Sequence, residues 1–167
     1  MKKIGIFYGS STGVCEGIAE KIAEKLGVSS ADVNTPDKID AKASEYDVLL
    51  LGSSTWGSGE LQDDWYDGIN KLKNIDLSGK IVALFGCGDS SSFSDTFCDA
   101  MGLIYDAIQD KGCQFIGSVS TSDYDFSSSV AVHDDQFIGL ALDEVNEDFK
   151  TEDRINAWIE QIKPSLT

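Results

Sequence analysis

Three short segments hold the residue types that could do chemistry. The first, Gly9-Ser10-Ser11-Thr12-Gly13-Val14-Cys15, sets glycines and hydroxyls between an apolar run and a helix-period segment. Glycine lets the chain turn, and the helix that follows aims its first N–H groups and positive dipole end at that turn. This is a cradle for a phosphate. It lacks the lysine of G-x-x-x-x-G-K-S/T, and no Arg or Lys lies between Lys3 and Lys21, so a nucleotide-cleaving P-loop is disfavoured. Neutral donors suit a phosphate that is held and not transferred, although an ordinary serine-rich turn has the same composition. The second segment, Ser53-Ser54-Thr55-Trp56-Gly57-Ser58-Gly59-Glu60, puts a tryptophan among small residues, where it can stack on a flat ring or fold over the core. The third, Gly86-Cys87-Gly88-Asp89-Ser90-Ser91-Ser92-Phe93, offers backbone groups to a heterocycle edge and a second aromatic face in Phe93. Ser91 occupies the last position of a would-be G-x-G-x-x-G, which argues against a dinucleotide fingerprint.

Each segment follows an element able to position it. Ile4–Tyr8, Val48–Leu51 and Ile81–Phe85 are short apolar runs and read as strands, as do Phe115–Val119 and Phe137–Leu142. Val14, Ile18, Ile22 and Leu26 recur at helical spacing, with Gly27 as C-cap. Phe97, Met101, Ile104 and Ile108 repeat the pattern, with Gly112 ending that helix. Thr151 is expected to cap a last helix carrying Ile155, Trp158, Ile159 and Ile162, which Pro164 stops. Strand-helix alternation predicts an α/β domain, a doubly wound parallel sheet with helices on both faces. Such sheets bind ligands beyond their carboxyl strand ends, where the three segments fall. The polar stretch from Ser120 to Gln136 interrupts two strand-like runs and is long enough to be functional.

Composition narrows the class. The 167 residues, 41% hydrophobic, suit a single domain over 1–167. A net charge of −16 argues against nucleic acid and anionic membranes and favours a basic protein partner. The absence of a long apolar run or export signal predicts a cytoplasmic protein with reduced thiols. Cys15, Cys87, Cys98 and Cys113 form no C-x-x-C pair, and His133 is the lone histidine, so no metal site is expected.

With these residues in view, the chain resembles the flavodoxin family in its long-chain form. Ser10-Ser11-Thr12-Gly13-Val14-Cys15 is similar to the family's phosphate motif, S/T-x-T-G-x-T. Thr55-Trp56 with Gly57-Ser58-Gly59-Glu60-Leu61 resembles the loop whose Trp covers one flavin face. Ala83 to Asp89 resembles the strand and loop holding the flavin's pyrimidine edge. Tyr124-Asp125-Phe126 and Phe137 to Asp143 resemble the insertion that splits the last strand. The resemblance implies bound FMN, strand order 2-1-3-4-5 and one-electron transfer without catalysis. It implies partners such as ferredoxin–NADP reductase or pyruvate oxidoreductase, and the chain is expected to be a monomer. It also implies a cofactor site made of Ser10, Ser11, Thr12, Gly13, Val14, Cys15, Ser54, Thr55, Trp56, Gly57, Ser58, Gly59, Cys87, Gly88, Asp89, Phe93 and Cys98. The peptide that turns its carbonyl toward the flavin would be Gly57-Ser58, where glycine eases the flip.

The chain departs from the family pattern at several points. Cys15 stands for the motif's final threonine, Phe93 for a common tyrosine, Thr96 and Cys98 for Asn and Gln, and Val145 interrupts D-E-D-N at Asp143–Asn146. Glu60, Asp63, Asp64, Asp89 and Asp95 are candidates to oppose a negative charge on reduced flavin. An FMN-dependent NAD(P)H:quinone oxidoreductase is the enzymatic alternative. A receiver-type signalling domain is less well matched, because the first strand ends without an aspartate.

Overall fold

Strand alternation sorts the apolar residues onto two faces of one sheet, and each face has its own helices. The computed structural model describes residues 2–9, 13–56 and 59–166; the side chain of Trp56 is outside the description. The chain forms β1 (Ile4–Gly9), α1 (Val14–Leu26), β2 (Val33–Asn34), α2 (Ile39–Lys42), β3 (Val48–Trp56) and β4 (Glu60–Leu61). Then come α3 (Asp64–Lys73), β5 (Ile81–Cys87), α4 (Asp99–Ile108), β6 (Gln114–Ile116) and β7 (Val119–Ser120). The chain ends with β8 (Val132–His133), β9 (Gln136–Phe137), β10 (Leu140–Leu142) and α5 (Thr151–Ile162). Ile4, Ile6, Val48, Leu50, Ile81, Ala83 and Phe85 pack against α1 and α5. Phe7, Leu49, Leu51, Val82 and Leu84 pack against the side of α2, α3 and α4. With both faces covered, the strands are apolar along their length, which is why they read as unbroken runs.

The main sheet runs β10-β5-β3-β1-β2, with β6 also on β5. Its long pairings are parallel, and the expected order 2-1-3-4-5 is present. The last strand is split. β6 pairs with Ile81–Ala83 and β10 with Phe85–Cys87, so two short pieces share one long neighbour. Between them the insertion forms a small antiparallel sheet, β7-β9-β8. Arg154 anchors it: its Nη2 donates to the Asp123 carbonyl at 2.9 Å and to Glu147 at 3.0 Å, and the guanidinium lies 3.9 Å from the Tyr124 ring centre.

Several expected elements are corrected. Phe115–Val119 is not one strand, because Gly117 turns at φ 89° and its carbonyl accepts the Trp158 indole N–H at 2.9 Å. Phe137–Leu142 breaks at Gly139, where a Cβ would stand 2.1 Å from the Leu84 carbonyl oxygen. Phe97 precedes α4 and packs in the core, and that helix ends at Ile108, short of Gly112. Thr151 is the first residue of α5 and not its cap; its hydroxyl donates to the Glu144 carboxylate. The strand beginning at Val48 runs on to Trp56.

Gly117 carries a direct test. A Cβ there would lie 2.6 Å from Trp158 Nε1 on a left-handed backbone. Gly117→Ala should lower unfolding free energy by about 2–4 kcal/mol, through backbone strain plus overpacking, read as a shifted urea midpoint.

Candidate functional site

The strand register aligns the three chemical segments. Gly9 on β1 is opposite Ser53 on β3, and Ser53 is opposite Gly86 on β5. The segments therefore leave the sheet side by side at its carboxyl edge. Ser10, Ser11, Thr12, Gly57 and Ser58 lie outside the described residues, as does the Trp56 ring.

The first segment enters α1 through Gly13, left-handed at φ 87°, with nothing within 4 Å of an added Cβ. The Gly17 N–H is bonded to the Gly13 carbonyl at 3.0 Å. Helix geometry leaves the N–H groups of Val14, Cys15 and Glu16 facing the open edge. The Cys15 side chain does not face it. It is 0% exposed, in the layer under α1. There it lies beside Cys87, and that neighbour together with burial pushes the Cys87 thiol well above its ordinary range. Residue 15 thus offers an incoming ligand its backbone, not its sulfur.

The second segment is a hairpin in which Thr55 pairs Leu61 and Trp56 pairs Glu60. Two bonds brace its base. The Gln62 N–H donates to Ser53 Oγ at 3.2 Å, and the buried Trp65 indole donates to the Gly52 carbonyl at 2.7 Å, docking the start of α3 on the end of β3.

The third segment is organised by two carboxylates. Asp89 Oδ1 accepts the N–H of Ser91 at 3.1 Å and of Ser92 at 2.9 Å, and Asn146 Nδ2 at 2.8 Å. These bonds, the one to Ser92 foremost, hold its carboxyl below the usual range. Asp143, just past β10, is 0% exposed. It accepts from the N–H of Ser90, Val145 and Asn146, from Asn146 Nδ2 and from the Ser90 hydroxyl. Phe93 projects to solvent, 47% exposed. Gly88 packs tightly on Cys98, with a Cβ there 2.8 Å from the Cys98 N. Cys98 caps α4 in the left-handed region at φ 55°, and its buried thiol, pushed upward by desolvation, faces the Leu142 carbonyl at 3.8 Å.

The sequence reading missed the bracing role of Asp143, of Ser53 and of the buried Asp99. Asp143 opens the Asp143–Asn146 segment that resembles the family's D-E-D-N, and its two oxygens are occupied by the loop itself. An acidic residue next to an apolar strand end was the available signal.

Similarity to known proteins completes the picture. A family model described as flavodoxin matches residues 6–158. The chain belongs to the flavodoxin family. It is 44% identical over 164 residues to flavodoxin 1 of Escherichia coli strain K12, covering 97% of this chain and 93% of that protein. It is 46% identical over 164 residues to flavodoxin 1 of Azotobacter vinelandii, covering 95% and 94%. A crystal structure of Fusobacterium nucleatum flavodoxin bound to flavin mononucleotide superposes with a TM-score of 0.91 at 33% identity, covering 100% of both chains. Among the described residues no helix is long and apolar enough to cross a membrane.

Two tests follow from this bracing. Asp143→Ala removes the shared acceptor of the Ser90, Val145 and Asn146 donors and should cost about 1–3 kcal/mol of stability, with faster amide exchange at Ser90. Asp89 has a depressed folded-state pKa. Its contribution is complete above the ordinary carboxylate value of 3.8 and is lost as pH falls through its lower folded value. The stability gap between wild type and Asp89→Ala should therefore narrow below about pH 4 in acid unfolding curves.

Proposed function

We propose that this flavodoxin-family chain binds one FMN non-covalently at the three aligned strand ends and carries single electrons between larger redox enzymes. The observation that carries the reading is the common register of Gly9, Ser53 and Gly86, taken with the family membership. The donor set fits the group. A helix start with backbone N–H groups, in a stretch of sequence with no Lys or Arg between Lys3 and Lys21, suits a phosphate monoester. The phosphate site is assigned to Ser10, Ser11, Thr12, Gly13, Val14 and the backbone of Cys15. The ring site is assigned to Ser54, Thr55, Trp56, Gly57, Ser58 and Gly59 on one side. Cys87, Gly88, Asp89, Phe93 and the backbone of Cys98 form the other side.

Bound FMN supplies a ring that takes up and releases electrons singly. The protein's own part is positional and electrostatic. Trp56 and Phe93 shield the ring faces from water, which strengthens charge interactions within the site. Asp89, held ionised by its three donors, opposes extra negative charge together with Glu60, Asp63, Asp64 and Asp95. That makes the last electron the hardest to add and the most readily donated. The relatives named above are flavodoxins, which disfavours the quinone oxidoreductase alternative. The split last strand supports the long-chain form, and the match over residues 6–158 supports one domain over 1–167. We assign the protein to the cytoplasm as a monomer. The charge of −16 points to partners with basic docking faces, such as ferredoxin–NADP reductase or pyruvate oxidoreductase.

Stepwise anaerobic reduction tests this reading. Purified protein loaded with FMN should show two flavin bands, then a long-wavelength band at half reduction, then bleaching. Raising the ionic strength should move the second potential upward, as screening weakens the carboxylates. A protein that stays colourless with added FMN would refute the assignment. Direct bleaching without the intermediate band would favour two-electron chemistry.

A further inference from the structure

The polar insertion has no part in the cofactor reading so far, yet its bonds lead to the site. The N–H groups of Ser127 and Ser128 both donate to the Ser94 carbonyl at 3.0 Å, and Ser127 also to Ser94 Oγ at 2.7 Å. The Phe97 N–H donates to the Ser128 carbonyl at 3.3 Å. The insertion thus fastens the end of the third loop. It also grips the start of α4. The Val130 N–H donates to Asp99 Oδ1 at 2.8 Å, and a Cβ on Gly102 would lie 2.6 Å from the Val130 carbonyl oxygen.

The other oxygen of Asp99 faces the second loop. A Cβ on Gly59 would stand 2.5 Å from Asp99 Oδ2. Gly59 is itself left-handed at φ 94°. One residue further on, the Ala100 N–H donates to Thr55 Oγ1 at 3.1 Å. A carboxylate only 7% exposed therefore lies between insertion and hairpin, one oxygen toward each. Burial pushes that carboxyl above its ordinary range, so the fold keeps it there against a desolvation penalty. Beside it Cys98 is left-handed without being glycine, a conformation that persists only when its surroundings over-determine it. The insertion supplies much of that surrounding: Phe97 packs on the rings of Tyr124, Phe126 and Phe137, with centres 5.6 to 6.1 Å away.

We propose that the Ser127–Val130 turn of the insertion is a positioning element for the cofactor site, acting through Asp99 on the hairpin that carries Trp56 and Gly59. The inference rests on the FMN reading above. The insertion is then more than a graft on the last strand: it sets the geometry of two of the three loops. Asp99 is a positioning residue and touches no cofactor.

The test compares wild type, Asp99→Ala, Asp99→Asn and Phe126→Ala. The readouts are the FMN dissociation constant by fluorescence quenching, the visible circular dichroism of bound flavin, and the melting temperature of flavin-free protein. Asp99→Ala should weaken FMN about tenfold or more and change the dichroic band. Asp99→Asn keeps the Oδ1 acceptor and should restore most of both. Phe126→Ala loosens the insertion without altering a loop of the site, and should weaken FMN with a changed band; it carries the test if Asp99→Ala does not fold. Folded variants with wild-type affinity and an unchanged band would overturn the inference alone. So would a loss in Asp99→Asn as large as in Asp99→Ala. Wild type that takes up no FMN would overturn the functional reading and this inference with it.

Discussion

Parallel pairing of β1, β3 and β5 is the constraint on which the site depends. The strands are buried on both faces, so their register is set by packing along their whole length and not by any one loop. A slip of one residue in β3 would exchange Leu49 and Leu51 with Val48 and Leu50 between the two core layers. Because that exchange is disfavoured, Gly9, Ser53 and Gly86 stay in one row, and three loops of small polar residues leave from it together. The loops can then be chosen for chemistry, since the strands beneath them carry the stability.

At that edge the protein spends stability on placement. Two aspartates are buried where apolar side chains would pack more cheaply: Asp143 under the third loop and Asp99 between the insertion and the hairpin. Both are satisfied by backbone N–H groups, as buried carboxylates must be. Cys98 holds a left-handed backbone without being glycine. The free thiols of Cys15 and Cys87 are buried together in the core layer under α1.

The sequence was most legible where the physics is local or repetitive. The runs at Ile4, Val48 and Ile81 announced central strands, and the four-residue spacing from Val14 to Leu26 announced a helix. Both signals come from burial over several turns or pleats. Legibility failed where one distant contact decides the local shape. Nothing near Gly117 in the chain foretells that Trp158 takes its carbonyl, and nothing near Gly139 foretells the approach of Leu84. β2, only two residues long, has no pattern to read. Glycine and hydroxyl spacing marked segments that begin at the carboxyl ends of β1, β3 and β5, because turns need those residues wherever they occur. The direction of each side chain did not follow from type. Cys15, which stands where the family motif has threonine, is a core residue, and Asp143, which the sequence assigns no role, is an internal brace.

The central claim is that three in-register strand ends make one flavin site. Amide chemical-shift mapping during titration of FMN into the flavin-free, isotope-labelled protein tests it most directly. The account predicts large shifts, saturating together with one affinity, in residues 9–15, 53–60 and 86–98, while amides at the opposite ends of β1, β3 and β5 stay fixed. Shifts confined to one loop, shifts centred on the far edge of the sheet, or loops that saturate with different affinities would contradict it.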